Sequence, residues 1–153
     1  MKIISHRGNL EGRNPELENH PEYIERCIKK GFCAEIDVWY IDGKIMLGHD
    51  SGQYVVEESW MNSFFHRLWV HAKNLEAVEL LSKNSWLNWF WHEEDLMTMT
   101  SKGDIWTYPG IYVKNGIVVE NEFKELPAFI KGVCTDFPIL YMNHEKSRSV
   151  IHQ

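Results

Sequence analysis

Apolar residues recur along the chain at two spacings, which predict an alternation of strands and helices. Residues 2–6 and 33–40 are rich in β-branched and aromatic side chains, and alternate residues fall on opposite faces, as in strands. Between them, apolar residues follow Pro21 every three or four positions up to Gly31. Because proline is tolerated in the first turn of a helix and glycine commonly follows the last turn, we expect a helix from about Pro21 to Gly31.

The alternation continues toward the C-terminal end of the chain. Further apolar or aromatic runs predict strands at 44–47, 68–71, 87–91, 105–108, 117–119 and 132–135. Asn74 is placed to cap a helix at 75–82, residues 55–65 fit a short helix or an irregular cover, and a helix or tail follows from 136. The order strand, helix, strand predicts one α/β domain over residues 1–153 with a mainly parallel sheet.

Composition and charge narrow the class of protein. With 44% hydrophobic and 25% charged residues, the chain has the composition of a folded globular domain. Its net charge of −6 repels a phosphate backbone, so we expect no nucleic-acid partner. No apolar run reaches the ~18 residues of a membrane span and no signal peptide is apparent, so we expect no stable membrane insertion. Cys27, Cys33 and Cys134 form no CxxC pair and are expected to be buried free thiols, which agrees with a cytoplasmic location.

Two acidic residues, Glu35 and Asp37, stand on the predicted strand at 33–40. Because successive strand side chains point to opposite faces, the two carboxylates share one face, about 6 to 7 Å apart along the strand. On an inward face they need a positive partner, and Mg²⁺ or Ca²⁺ with oxygen ligands is the obvious candidate. The alternative is an edge strand on which both carboxylates face water, and the spacing alone leaves both open.

Histidines follow the strands on either side of this acidic pair. His6 and Arg7 end the first strand, and His49 lies just beyond the predicted strand at 44–47. In a parallel α/β fold, side chains at the carboxyl ends of strands converge on one mouth, where ligands bind. One imidazole would accept a proton from a nucleophile while the other protonates a leaving alkoxide, and Arg7 would neutralise phosphate oxygens. The combination predicts phosphodiester cleavage, whereas each histidine taken alone is compatible with a structural role.

The strand at 68–71 leads into a pair with the same two-residue spacing, His71 and Lys73. His71 is a candidate metal ligand, and Lys73 is a candidate phosphate contact. The alternatives are a structural histidine and a structural ion pair between Lys73 and Glu35 or Asp37. The sequence leaves these alternatives open.

The middle of the chain concentrates aromatic side chains. His92, Trp106 and Tyr108 are candidates for contacts with the part of the substrate that is not phosphate. A flat aromatic wall suits a sugar, an inositol or a glycerol-linked headgroup. The alternative is that the large aromatic side chains fill the core of a fold with few helices.

Several short motifs occur in a fixed order between residues 5 and 138. They are Ser5-His6-Arg7-Gly8, Glu18-Asn19, Glu35-Ile36-Asp37, Asp42-Gly43, Gly48-His49-Asp50 and Thr135-Asp136-Phe137-Pro138. This series resembles the signature of the glycerophosphodiester phosphodiesterase family, within the phosphatidylinositol-phospholipase-C-like superfamily. The resemblance implies a (β/α)₈ TIM-type barrel, with His6 and His49 as acid and base. It also implies Glu35 and Asp37 as metal ligands and Arg7 as a phosphate contact.

The chain departs from the family pattern in three respects. His71 stands where the E-x-K motif of the family has its third acidic ligand, which lowers the negative charge of the predicted metal site. The segment before Glu18 matches a Pro-Glu-Asn-Thr-like motif imperfectly. The chain has 153 residues, whereas a typical barrel of this kind takes about 250. We therefore expect a compact, trimmed barrel in which some helices are reduced to loops.

Together these features predict metal-dependent hydrolysis of a small-molecule phosphodiester, a glycerophosphodiester or a similar sugar or polyol phosphodiester of lipid metabolism. Mg²⁺ or Ca²⁺ is the expected cofactor, with Mn²⁺ as an alternative. One alternative function is a catalytically silent module that binds a phosphorylated ligand. Another is a phospholipid headgroup lyase that forms a cyclic phosphate, for which Trp60, Phe64 and Phe65 are the candidates for a hydrophobic rim.

Overall fold

A computed structural model describes residues 1–151 as ten strands in one mixed sheet with four helices. The strands are β1 (Lys2–His6), β2 (Cys33–Ile41), β3 (Lys44–Leu47), β4 (Tyr54–Val56), β5 (Leu68–Ala72), β6 (Asn88–Trp91), β7 (Met97–Met99), β8 (Ile105–Thr107), β9 (Ile117–Glu120) and β10 (Gly132–Thr135). The helices are α1 (Pro21–Lys29), α2 (Glu58–Ser63), α3 (Leu75–Ser82) and α4 (Pro138–Ile151).

Seven strands run parallel in the order β6-β5-β2-β1-β10-β9-β8. The strands β3 and β4 continue from β2 as an antiparallel meander, and β7 pairs antiparallel with β8. The sheet curls strongly, as a contact across its concave face indicates. Trp69 on β5 and Trp106 on β8 stack with ring centroids 5.8 Å apart, although four strands lie between β5 and β8 in the sheet. The sheet is thus a curled half-barrel with a concave and a convex face.

The predicted (β/α)₈ TIM-type barrel is therefore wrong. Within residues 1–151 there are ten strands of mixed direction and four short helices instead of eight strand–helix units. The connections from β6 to β8, from β8 to β9 and from β9 to β10 contain no helix. Because the strands are parallel, each connection still returns along the sheet, through β7 between β6 and β8 and through the loops 108–116 and 121–131 elsewhere. Side chains of these loops, such as Tyr112 and Phe123, take the place of a helix on part of the convex face.

Most individual elements agree with the sequence-based predictions. The parallel strands, the meander strand at 44–47, the helix that begins at Pro21 and the helix at 75–82 are confirmed. The segment after 136, predicted as a helix or a tail, forms the helix α4. His20 and Asn74 accept hydrogen bonds from the first turns of α1 and α3, which fixes where these helices begin. The three-residue strands β4 and β7 were not predicted, because segments this short establish no alternating pattern. The strand β8 is equally short but lies in the run Ile105-Trp106-Thr107-Tyr108, whose β-branched and aromatic residues favour a strand.

Two hydrophobic layers cover the two faces of the curled sheet. On the convex face, Ile36 and Val38 of β2 pack with buried residues of α1, α2 and α3. On the concave face, one cluster of buried residues, here called the floor, comprises Ile4, Cys33, Trp69, Phe90, Trp106, Ile117 and Cys134. The floor fills the space inside the curl and supports whatever side chains lie above it along the same strands.

Two further predictions concern the state of the three cysteines and the absence of a membrane-spanning segment. Cys27, Cys33 and Cys134 are buried free thiols, as expected. Burial raises the pKa of Cys27 to about 11, so this thiol is protonated and inert at neutral pH. Among residues 1–151, no helix combines the length and the apolar character that a membrane crossing requires.

Candidate active site

The carboxyl ends of the parallel strands carry mostly polar or ionisable side chains on the concave face. Each floor residue is followed two positions later by a residue of this second layer, because alternate residues of a strand share a face. This layer, here called the mouth, comprises His6, Glu35, His71, His92, Tyr108, Val119 and Asp136. The register of the sheet places His6 beside Glu35, and His71 beside Asp37, on neighbouring strands.

A cavity of about 340 Å³ opens at this end of the sheet. Its lining residues are His6, Arg7, Glu35, His49, His71, Lys73, Phe90, His92, Glu93, Trp106, Tyr108, Pro109, Val119 and Asn121. Nine of the ten predicted site residues are among them, and the tenth, Asp37, is fully buried beside its wall. The structure thus brings the predicted residues together, while their chemical roles stay predictions.

Asp37 is anchored through one of its two carboxylate oxygens. Asn19 Nδ2 donates a hydrogen bond to Asp37 Oδ2 at 2.9 Å, and Arg7 Nε lies 3.0 Å from the same oxygen. Burial alone would raise the pKa of Asp37, but a proton on His71 Nδ1 and the positive charges of Arg7 and Lys73 hold it well below its usual range in the metal-free protein. Asp37 is therefore an anion, and its other oxygen, Oδ1, is buried without a hydrogen-bond donor.

Glu35 has almost no anchoring contacts. It is 2% exposed, so the alternative of an edge strand with two solvated carboxylates is wrong. Glu35 Oε1 lies 3.8 Å from His71 Nδ1 and Oε2 lies 3.9 Å from His6 Nε2, both beyond hydrogen-bond length. Burial and the charge of Asp37 raise the pKa of Glu35 above its ordinary value. A buried carboxylate of this kind is unfavourable unless a cation or a proton meets it.

His71 presents a ring nitrogen to both acids. Its Nε2 lies 2.8 Å from the carbonyl oxygen of His92, and because a carbonyl can only accept, Nε2 carries the proton. In the neutral ring Nδ1 is then a lone pair, and it lies 3.2 Å from Asp37 Oδ1. Two acceptors facing each other at that distance call for a shared proton or a cation between them.

Glu35, Asp37 and His71 are suited to hold a divalent cation. One candidate ligand atom from each lies within 4.8 Å of the other two. Both carboxylates have a buried oxygen without a donor, and the histidine is oriented by a backbone carbonyl through its other nitrogen, an arrangement common for metal-binding histidines. The donor set and its buried, donorless oxygens therefore fit the predicted metal.

His6 is oriented by a residue that the sequence-based set of site residues does not contain. His6 Nδ1 donates to Asp136 Oδ1 at 3.0 Å, and Asn9 Nδ2 donates to the same oxygen at 2.8 Å. Burial alone would lower the pKa of His6, but the hydrogen bond with Asp136 and the charge of Glu35 raise it above the ordinary value. This pairing leaves Nε2 facing the cavity. The only signal for Asp136 in the sequence is its place in the Thr-Asp-Phe-Pro motif.

Arg7 is held close to the acids by an unusual backbone turn. Its φ of 55° is unfavourable for a non-glycine residue, and the turn is fixed because its N–H donates to the carbonyl of Glu35 at 3.0 Å. Gly8 follows with a φ of 89°, and a Cβ there would lie 2.8 Å from the Tyr23 ring. Arg7 Nη1 also donates to Glu18 at 3.3 Å, so the guanidinium neutralises Asp37 and Glu18 while it lines the cavity.

His49 reaches the cavity from the loop between β3 and β4. The loop is pinned because Trp39 Nε1 donates to the carbonyl of Gly48 at 2.7 Å, and a Cβ on Gly48 would lie 2.0 Å from a backbone oxygen of the same loop. His49 Nδ1 lies 2.7 Å from the exposed carboxylate of Asp50. Partial burial and the charge of Arg7 lower the pKa of His49. This ring is partly exposed to solvent and lines the cavity.

Lys73 follows β5 at the edge of the acidic group. Its Nζ lies 3.9 Å from Asp37 Oδ1, at the outer limit of an ion pair, and it lines the cavity. This geometry agrees with both predicted roles of Lys73, because an amine at that distance is free to contact a bound anion.

The aromatic candidates divide between floor and wall. Trp106 is 3% exposed and packs on Phe90 with ring centroids 4.6 Å apart, so it fills the core as the alternative reading expected. His92 and Tyr108 stack at 4.3 Å and form a wall of the cavity.

The candidate hydrophobic rim lies elsewhere. Trp60 and Phe64 pack against the convex core, and Phe65 contacts Trp86 next to the amino end of β6. None of these four residues lines the cavity.

The comparisons with protein-family models, curated proteins and solved structures found no match to this chain. The resemblance to the glycerophosphodiester phosphodiesterases therefore rests on the short motifs alone and stays a prediction.

Proposed function

We propose that the protein cleaves a small-molecule phosphodiester with the help of a divalent cation. One observation carries this proposal: the candidate ligand atoms of Glu35, Asp37 and His71 lie within 4.8 Å of one another at the wall of a cavity that His6 also lines. Phosphodiester cleavage needs charge neutralisation at the phosphate together with proton transfer at the nucleophile and the leaving group.

Glu35, Asp37 and His71 would hold the cation. A divalent ion there supplies a Lewis acid that polarises the phosphoryl group and neutralises its charge. The buried oxygens without donors on Glu35 and Asp37 support this role, because a cation would remove the cost of leaving them unpaired.

The two histidines handle the protons. One imidazole takes a proton from the attacking hydroxyl as its oxygen bonds to phosphorus, and the other gives a proton to the departing alkoxide as the P–O bond breaks. Asp136 orients His6 for this task, and Asp50 contacts His49 in the same way. The attacking hydroxyl belongs either to water, which gives hydrolysis, or to the substrate itself, which gives a cyclic phosphate.

Lys73 and Arg7 bind the phosphate oxygens. Lys73 is the freer of the two, since its amine is 3.9 Å from the nearest carboxylate, whereas Arg7 also neutralises buried acids. The cavity volume of about 340 Å³ and the wall of His92 and Tyr108 suit a small headgroup such as a glycerol, a sugar or an inositol. A cytoplasmic location stays a prediction.

Turnover of a panel of glycero-, sugar- and inositol-linked phosphodiesters with Mg²⁺, Ca²⁺ or Mn²⁺ tests this function. We expect product from at least one diester, its loss after exhaustive EDTA treatment, and a fall of about 10²- to 10⁴-fold in kcat for His49→Ala. His144→Ala, which changes a histidine of α4 outside the cavity, is the matched control and should retain full activity. Saturable binding of a diester without any product, measured by ³¹P NMR, would instead support the silent binding module and contradict the proposal.

A further inference from the structure

We propose that the Glu35, Asp37 and His71 group selects a divalent ion of the first transition series, with Mn²⁺ as the test case, over Mg²⁺ and Ca²⁺. This inference rests on the proposed function only in taking the group to be a cation site. It differs from the expectation based on two carboxylates, which favours Mg²⁺ or Ca²⁺.

The first step is that a nitrogen ligand is already oriented. His71 Nε2 donates to the His92 carbonyl, so the lone pair of Nδ1 faces Asp37 and Glu35. The ring is also fixed by stacking on Phe90, with centroids 5.0 Å apart and an angle of 16° between the planes. Any cation between the two carboxylates therefore meets an imidazole nitrogen that is ready to coordinate.

The second step is the small number of oxygen donors. Asp37 Oδ2 is occupied by Asn19 and Arg7, which leaves Oδ1 as its free oxygen. Ca²⁺ takes six to eight oxygen ligands and Mg²⁺ also binds hard oxygen ligands, whereas imidazole is a good ligand for ions of the first transition series. Mn²⁺ is the weakest binder of that series and also accepts carboxylates, so a preference for Mn²⁺ is the most stringent test of the nitrogen ligand. A set of two carboxylates and one imidazole therefore favours the transition ion.

The third step excludes charge as the source of selectivity. Arg7 Nε lies 3.0 Å and Lys73 Nζ lies 3.9 Å from Asp37, and their positive charges oppose all divalent cations alike. His6 faces Glu35 Oε2 from the other side. Since Mn²⁺, Mg²⁺ and Ca²⁺ carry the same charge, the discrimination has to come from ligand type together with ion size and ligand number, and His71 is the residue that differs from an all-oxygen site.

The direct test is binding of each ion alone to the metal-free full-length protein, measured by equilibrium dialysis. We expect Mn²⁺ to bind about tenfold more tightly than Mg²⁺ or Ca²⁺, because one of the three ligands is an imidazole. Equal affinities of the wild-type protein for the three ions, or no binding of any of them, would overturn the inference.

A substitution then tests whether His71 is the cause. His71→Asp converts the group to three carboxylates, and we expect the preference for Mn²⁺ over Ca²⁺ to fall by about tenfold or more. His66→Asp makes the same change at an exposed position at the other end of the sheet and should leave the preference unchanged. An unchanged preference in a folded His71→Asp protein would also overturn the inference.

Pulsed electron paramagnetic resonance of the Mn²⁺-loaded wild-type protein gives a reading that does not depend on the variant folding. We expect a ¹⁴N coupling from a directly bound imidazole, and its absence would contradict the assignment of His71 as a ligand. The two proposals fail in different ways. Selective Mn²⁺ binding without turnover of any diester defeats the proposed function alone, whereas turnover with no preference among the ions defeats this inference alone.

Discussion

The floor and the mouth occupy the same strands and the same concave face, yet they differ in almost every physical respect. On β1 the floor residue is Ile4 and the mouth residue is His6, and on β2 they are Cys33 and Glu35. The floor is apolar and closed, while the mouth holds ionisable groups with oxygens that receive no hydrogen bond. Two residues along a strand thus separate side chains that stabilise the fold from side chains that are costly to bury.

This difference indicates where stability and chemistry reside. Burial of apolar surface in the floor contributes favourable free energy, whereas the unpaired oxygens of the mouth cost free energy in the absence of a ligand. Such an arrangement is retained in a folded protein only if the rest of the structure compensates for it. The floor and the convex core are the parts of this molecule that do so.

The largest expected effect separates the two layers on one strand. Ile4→Ala should lower the free energy of unfolding by about 2 to 5 kcal/mol, because Ile4 is fully buried and the smaller side chain leaves a cavity in the floor. His6→Ala should lower it by only about 1 kcal/mol, since it removes one hydrogen bond with Asp136, but should abolish phosphodiester turnover. Urea unfolding and a turnover assay on the same two variants measure both quantities.

Similar losses of stability in the two variants would break the distinction between floor and mouth. Val133→Ala is the control for Ile4→Ala. It also removes buried methyl groups, but Val133 lies on β10 and on the convex face of the sheet, whereas Ile4 lies on the concave face. It should destabilise the protein without any specific effect on the cavity.

Much of the mouth could be predicted from the sequence because it follows strand periodicity. Glu35 and Asp37 share a face in any strand, and the positions of His6 and His71 follow from the ends of parallel strands. Strand periodicity does not show which face of a strand is buried. The sequence was therefore also compatible with an edge strand on which Glu35 and Asp37 face water. The burial of β2 between β1 and β5 excludes this edge strand.

Other features depend on contacts between distant parts of the chain. Asp136 and His6 are 130 residues apart, and no local pattern relates them. The clamp of Asn19 on Asp37 likewise depends on a loop whose backbone conformation is irregular. The trimmed barrel was predicted wrongly because the motifs mark the ends of strands and carry no information on whether the outer strands pair. In the described residues β6 pairs only with β5, and the sheet stays open as a half-barrel.

The second prediction concerns the hydrogen bond between His6 and Asp136, which the sequence did not reveal. Asp136→Asn keeps an oxygen that can accept from His6 and Asn9 but removes the negative charge that favours a correctly oriented imidazole. We expect kcat to fall about 10- to 100-fold with little change in KM. Steady-state kinetics on the diester found in the panel would measure both constants.

Asp104→Asn is the matched control for this change. Asp104 also pairs with a cationic side chain, that of Lys131, and accepts from Asn88, but it lies away from the cavity. It should lower stability slightly and leave kcat unchanged. A rise in KM with an unchanged kcat in Asp136→Asn would show that this carboxylate does not orient His6 for proton transfer.

The smallest expected effect, that of Glu35→Gln, comes from comparing the two acids of β2, Glu35 in the mouth and Asp37 buried beside the cavity wall. Asp37 is held by Asn19 and Arg7, so Asp37→Asn leaves a buried arginine with fewer partners and should cost about 2 to 4 kcal/mol of stability. Glu35 has no such partners, so Glu35→Gln should change the stability of the metal-free protein by less than about 1 kcal/mol in either direction. Urea unfolding in the presence of a chelator measures both. If Glu35→Gln were as destabilising as Asp37→Asn, Glu35 would be a structural residue of the sheet rather than a group left free for a cation.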